Sequence, residues 1–124
     1  MLIKDLYTVK KTELIDNVVN AIIKINPEHN IFNGHFPGNP VLPGVIQLQI
    51  IKELLETELK LSLILQKASN IKYTNMIVPN ANNELHINVS LTYIENTIKV
   101  NSVIKNSDIV FLKFKGIFAK NAIN

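Results

Sequence analysis

At 124 residues with 47% apolar side chains, the chain has the size and apolar content to fill one core, so a single domain over residues 1–124 is expected. It contains no cysteine, which excludes disulfides, thiolate nucleophiles and cysteine-ligated zinc. The net charge of +3 rests on 13 scattered lysines without arginine or tryptophan, so a concentrated basic face with stacking aromatics is missing and no nucleic-acid partner is expected.

From the start of the chain, "MLIKDLYTVKKTELID" places charges where a signal peptide needs its apolar block. No run of about 18 apolar residues follows, which points to a soluble, cytoplasmic protein with no membrane partner. Residues 17–25, "NVVNAIIKI", are rich in β-branched side chains and predict a strand ended by Asn26 and Pro27. An irregular segment over 27–42 is long for so small a domain, and loops of that length usually carry function. Pro43 and Gly44 then open "VIQLQIIKELLETEL", a predicted helix. Val45, Leu48, Ile51 and Leu55 form its apolar stripe, Ile46, Ile50 and Leu54 widen it, and Glu53 and Glu56 are read as its solvated side.

"QKASNIKYTNMIV" predicts a further strand before Pro79. In "ELHINVSLTYI", Leu85, Ile87, Val89, Leu91 and Tyr93 alternate with polar residues, the period of a strand with one wetter face. "IENT" and "KNSD" read as hairpin turns that separate this strand from "IKVNSVIK" and "IVFLKFKGIFA". The order is strand, long loop, buried helix and antiparallel meander, which makes an α+β domain with one helix against a curved sheet the economical solution. One helix cannot cover both faces of that sheet, so a homodimer or higher homo-oligomer is expected.

The densest local signal is "NGHFPGNPVLPGVIQLQ", residues 33–49, with three of the chain's five prolines and three of its four glycines. Pro37, Pro40 and Pro43 fix φ at three places and restrict the residues before them, so the entry to the helix is stiff. His35 sits there beside Phe36. A partly apolar surrounding keeps an imidazole neutral near pH 7, and neutral imidazole is a usable base. At the helix start the first N–H groups lack intrahelical partners, so Gly44 N–H can polarise a carbonyl. By residue type alone, a histidine among prolines is first a loop residue satisfied by a carbonyl. His29, in a polar turn, and His86, on the wetter face of a strand, stay with that reading. No histidine pair has the i, i+4 spacing of a helical metal site, and neither a metal nor a cofactor is called for.

The whole string shifts the balance. "GHFPGNPVLPGVIQLQ", with the strand before it and "IKYTNMIVPNANNELHINVSL" after it, resembles the hot-dog-fold dehydratases that act on 3-hydroxyacyl groups carried by acyl carrier protein. The likeness spans most of the chain, and its core G-H-F-P-x-x-P-x-x-P-G is long and ungapped. It implies a hot-dog fold, a curved antiparallel sheet around one central helix, and a dimer whose active sites each combine the histidine of one subunit with a helix residue of the other. It implies a hydro-lyase of fatty acid biosynthesis and lipid metabolism that converts a 3-hydroxyacyl thioester into the trans-2-enoyl thioester. It makes His35 the catalytic base, gives the thioester carbonyl to Gly44 N–H, and lines the acyl tunnel with Phe36, Val41, Pro43 and Val45.

One position departs from the family. Five residues after the motif glycine, where the resemblance expects aspartate or glutamate, stands Gln49. Glutamine orients a hydroxyl or water by hydrogen bonds but donates no acidic proton. Three readings follow. The first is an active dehydratase in which His35 works with Gln49 as an orienting group. The second is a binding module that holds acyl chains or carrier protein, or supports a catalytic relative in a heterodimer. The third is an acyl thioesterase, ranked last because such enzymes commonly activate water with a helix carboxylate.

Overall fold

The computed structural model describes residues 5–33 and 40–121. The elements run β1 (Tyr7–Ile15), β2 (Val18–Ile25), a short 3-10 helix (Asn30–Phe32), α1 (Gly44–Leu59), β3 (Leu63–Tyr73), β4 (Glu84–Ile94), β5 (Thr97–Asn106) and β6 (Ile109–Lys120). The strands form one six-stranded sheet in the order β1-β2-β4-β5-β6-β3, and every pairing is antiparallel. This is the hot-dog arrangement of one helix packed on an antiparallel sheet.

Alternation decides which face of each strand meets the helix. Val19, Ala21, Ile23 and Ile25 on β2, Leu85, Ile87, Val89 and Leu91 on β4, and Ile98, Val100 and Ile104 on β5 are all buried, while their neighbours in the sequence turn outward. Phe111, Leu112, Phe114 and Phe118 extend the layer onto β6, with the Phe114 and Phe118 rings edge to face at 6.4 Å. From the other side Ile50, Ile51, Leu54 and Leu55 of α1 close the core. Each such side chain removed from water contributes roughly 1.5–3 kcal/mol.

The tight turns carry the left-handed residues that their geometry requires: Asp16 and Asn17 between β1 and β2, Glu95 between β4 and β5, and Ser107 between β5 and β6 all have φ between 50° and 62°. Both predicted hairpins are therefore present. After the helix, β4, β5 and β6 form the expected antiparallel meander, and β1 and β2 form a further hairpin; β3 departs from it, lying at the far edge beside β6, while β4 pairs with β2. β3 also starts and stops earlier than predicted, leaving residues 74–78 outside any strand. β1 was not predicted: it is an edge strand whose central residues are exposed on both sides, so it shows no alternation. Tyr93, expected inward, is 49% exposed because β4 leaves the core after Leu91. Among the described residues no helix is long and apolar enough to cross a membrane.

Candidate active site

Two segments meet at the start of α1. Pro43 is the N-cap, in extended conformation, and its carbonyl accepts from both Ile46 N–H and Gln47 N–H at 3.1 and 3.2 Å. The N–H groups of Gly44 and Val45 have no partner within the helix, at the positive end of its dipole. Opposite them runs the chain that leaves β3. Leu42 N–H donates to Ile77 C=O at 2.9 Å and ties the two segments together. The second segment is fixed in turn to β6: Thr74 N–H donates to Phe111 C=O at 3.0 Å, Asn75 Nδ2 donates to Val110 C=O at 2.8 Å, and the Thr74 hydroxyl also donates to Val110 C=O.

Between these walls lies a cleft of about 440 Å³ bounded by residues 41–44, Gln47 and residues 73–76. Its surface is mainly apolar, from Val41, Leu42, Pro43, Tyr73 and Met76. Tyr73 lies directly against Gly44: a Cβ at that position would sit 2.8 Å from Tyr73 Cε1 and closer still to the end of the ring. Only glycine lets the ring approach so near to the helix terminus. Burial pushes the Tyr73 phenol above its ordinary value, which keeps it a neutral donor. Gln47 is 97% buried by its 3% exposure, and its Nε2 donates to Leu42 C=O at 3.3 Å.

The next turns of α1 hold a second polar group. Gln49 Nε2 donates to Glu53 Oε2 at 3.0 Å, and the Tyr7 hydroxyl donates to Glu53 Oε1 at 2.8 Å. Glu53 has no exposed surface, which corrects the expectation that it lies on the solvated side of the helix. Glu56 is half-buried, and its Oε2 accepts from Leu63 N–H at 2.8 Å, so it secures the start of β3 instead of facing water alone. Burial first, and then the hydrogen bond to Glu53 and its charge, push the Tyr7 phenol far above its ordinary range.

Of the residues predicted for the site, Val41, Pro43 and Gly44 come together in the cleft. Gln49 is on the same helix but turned to Glu53, and Val45 is 71% exposed rather than part of the apolar stripe. His35 and Phe36 lie outside the described residues. Tyr73, Gln47, Glu53 and Tyr7 were missed. The i, i+4 spacing of Gln49 and Glu53 was a usable signal for one of them; nothing local signals Tyr7, 46 residues from its partner. The other two histidines are where expected. His29 Nδ1 accepts from Ile31 N–H at 2.9 Å and caps the short helix, and His86 is exposed on β4.

A single helix on a six-stranded antiparallel sheet, with a cleft at the helix start, places the chain among the hot-dog proteins. The family model for ApeI-like proteins, described as the ApeI dehydratase, matches residues 11–107, and the chain belongs to that family. A curated relative, the 3-hydroxyacyl-acyl-carrier-protein dehydratase FabZ of Lactococcus lactis subsp. cremoris, is 30% identical over 81 residues, covering 60% of this chain and 56% of the relative. The chain spans between 25% and 56% of the length of such relatives. Among solved structures, the dehydratase heterocomplex ApeI:P from Xenorhabdus doucetiae superposes with a TM-score of 0.74 at 18% identity, over 90% of this chain and 96% of that one. An uncharacterised protein from Erwinia carotovora subsp. atroseptica superposes with a TM-score of 0.65 at 24% identity, over 94% of both chains.

Proposed function

We propose that this protein removes water from a 3-hydroxyacyl thioester carried by acyl carrier protein and forms the trans-2-enoyl thioester. The observation that carries the reading is the apolar cleft at the start of α1, where Gly44 N–H is unpaired within the helix and an acyl thioester would find both a donor and an apolar wall. Membership of a dehydratase family supports the same chemistry. In this reading Gly44 N–H polarises the thioester carbonyl and so acidifies the α carbon. His35 takes the α proton, the β C–O bond breaks, and His35 returns the same proton to the departing oxygen, which leaves as water. Proton and hydroxyl must then lie on one side of the substrate. Gln49 orients the hydroxyl, and Phe36, Val41, Pro43 and Val45 line the path of the acyl chain.

Assembly belongs to the reading as well. β3 is an edge strand whose residues from Gln66 to Tyr73 are all exposed, Ile71 and Tyr73 among them, and Met76 adds exposed apolar surface just beyond it. A free strand edge of that length is normally covered, and a second copy would cover it. A second reading takes the partner to be a related chain that supplies the carboxylate missing at Gln49. The heterocomplex from Xenorhabdus doucetiae, similar in fold, favours keeping it.

Purified protein incubated with a 3-hydroxyacyl thioester separates these readings. Enoyl thioester, followed by absorbance or mass, is the expected product, and His35→Ala should abolish it while His86→Ala leaves it unchanged. Free acid would mark a thioesterase. Binding without turnover, converted to turnover by a co-purified relative, would mark one half of a heterodimer. Equal activity in wild type and His35→Ala would remove this histidine from the chemistry.

A further inference from the structure

We infer that Glu53 is a positioning residue of this site, acting through Gln49 to hold the side-chain amide with its nitrogen inward and its carbonyl oxygen turned away, toward substrate. The inference rests on the dehydration reading given above. Glu53 accepts at both oxygens, from Gln49 Nε2 at 3.0 Å and from the Tyr7 hydroxyl at 2.8 Å. Both of its oxygens are therefore used as acceptors, and neither is matched to a further donor on Gln49 or Tyr7. Tyr7 supports it throughout the working pH range, because burial and then the facing Glu53 push its phenol up and keep the O–H in place. A Gln49 amide rotated by half a turn would bring its oxygen against Glu53 Oε2, two acceptors in contact at a carboxylate with no exposed surface. One orientation remains.

That orientation is the one a single-base elimination needs. The leaving hydroxyl must present a lone pair to the protonated His35, and its own hydrogen must point elsewhere. Gln49 Oε1 is an acceptor for that hydrogen. With the hydrogen held there, the α C–H bond breaks to His35, the β C–O bond breaks, and the proton returns to the lone pair as water leaves. An amide that offered N–H first would occupy that lone pair and oppose the last step. Glu53 therefore decides whether a glutamine in the family's carboxylate position helps the reaction or hinders it. The carboxylate has not vanished from this helix; it sits one turn later and works at second hand.

The test compares the full-length wild type, Glu53→Gln, Gln49→Ala and the double variant on one 3-hydroxyacyl thioester. Glu53→Gln keeps the size of the side chain and removes the acceptor-only end. Its kcat should fall about 10- to 100-fold with KM changed less than about twofold, the signature of lost positioning. In the Gln49→Ala background the same substitution should have no further effect, because its route to the substrate is gone. Losses that multiply in the double variant overturn the inference, as does unchanged turnover in Glu53→Gln. A wild type that makes no enoyl thioester overturns the dehydration reading and this inference with it, so the two failures are told apart by the wild type alone. Should the variants fail to fold, the assigned side-chain amide of Gln49 in the wild type gives an independent answer by NMR. One proton protected from solvent exchange is expected; fast exchange of both overturns the orientation.

Discussion

At the start of α1 Gly44 borders an apolar cleft and its N–H has no partner in the helix, whereas further along the same helix Glu53 accepts from both Gln49 and Tyr7. The two regions treat polar groups in opposite ways on a single helix. At the first, unmet hydrogen-bonding capacity is kept beside a cavity where a ligand can use it. At the second, a carboxyl group with no exposed surface is held by two donors, so that it neither seeks a ligand nor destabilises the fold. A substitution at the first should therefore cost activity, and one at the second should cost stability as well.

The largest effect should come at Gly44. A methyl group there collides with Tyr73, so the ring or the helix start must shift. Gly44→Ala should lower turnover of a 3-hydroxyacyl thioester about 10²-fold, as expected when an oxyanion donor is displaced, with unfolding in urea changed by less than about 1 kcal/mol. Adding Tyr73→Ala should recover part of the turnover; equal losses with and without the tyrosine would break the proposed contact.

Next comes Glu53→Leu, which leaves the Tyr7 O–H and a Gln49 N–H without their acceptor. Urea unfolding should show a loss on the order of 1–3 kcal/mol. Tyr7→Phe takes away one donor and leaves Glu53 the other, so about 1 kcal/mol is expected. If Tyr7→Phe proved the more damaging of the pair, the carboxylate would not be the centre of this group.

The smallest change should be Tyr73→Phe. The ring still covers Gly44, and a hydroxyl on a residue 48% exposed exchanges with water, so stability should move by less than about 0.5 kcal/mol. A large loss would show that the hydroxyl, rather than the ring, closes the cleft.

Periodicity made α1 and β4 legible, because each presents one face to the core and the pattern records which, while β-branched content marked β2 and turn residues set off β5 and β6. β1 left no such record. Its residues from Thr8 to Glu13 are half-buried or exposed on either side, so a strand there is visible only through its partner β2. The same limit hid Glu53. A charged residue beside an apolar stripe reads as solvated unless something distant covers it, and here Tyr7, 46 residues earlier in the chain, donates to it. Gly44 and Val41 were legible through the motif alone, since three prolines and an ungapped spacing are local facts. Val45 shares that motif, yet 71% of its surface is open in the chain by itself.

The bonds from residues 74 and 75 to Val110 and Phe111 bear on the order of assembly. Every residue that lines the cleft precedes position 77, but the segment that forms its second wall is held by the last strand to be synthesised. A chain released before β6 would contain the whole lining and still lack the cavity. The pairing that brings β6 to β3 joins residues as far apart as Leu63 and Lys120, and such distant pairings form slowly. Substrate binding should thus appear abruptly and late during refolding, after the helix and the first hairpin have already reported themselves as folded.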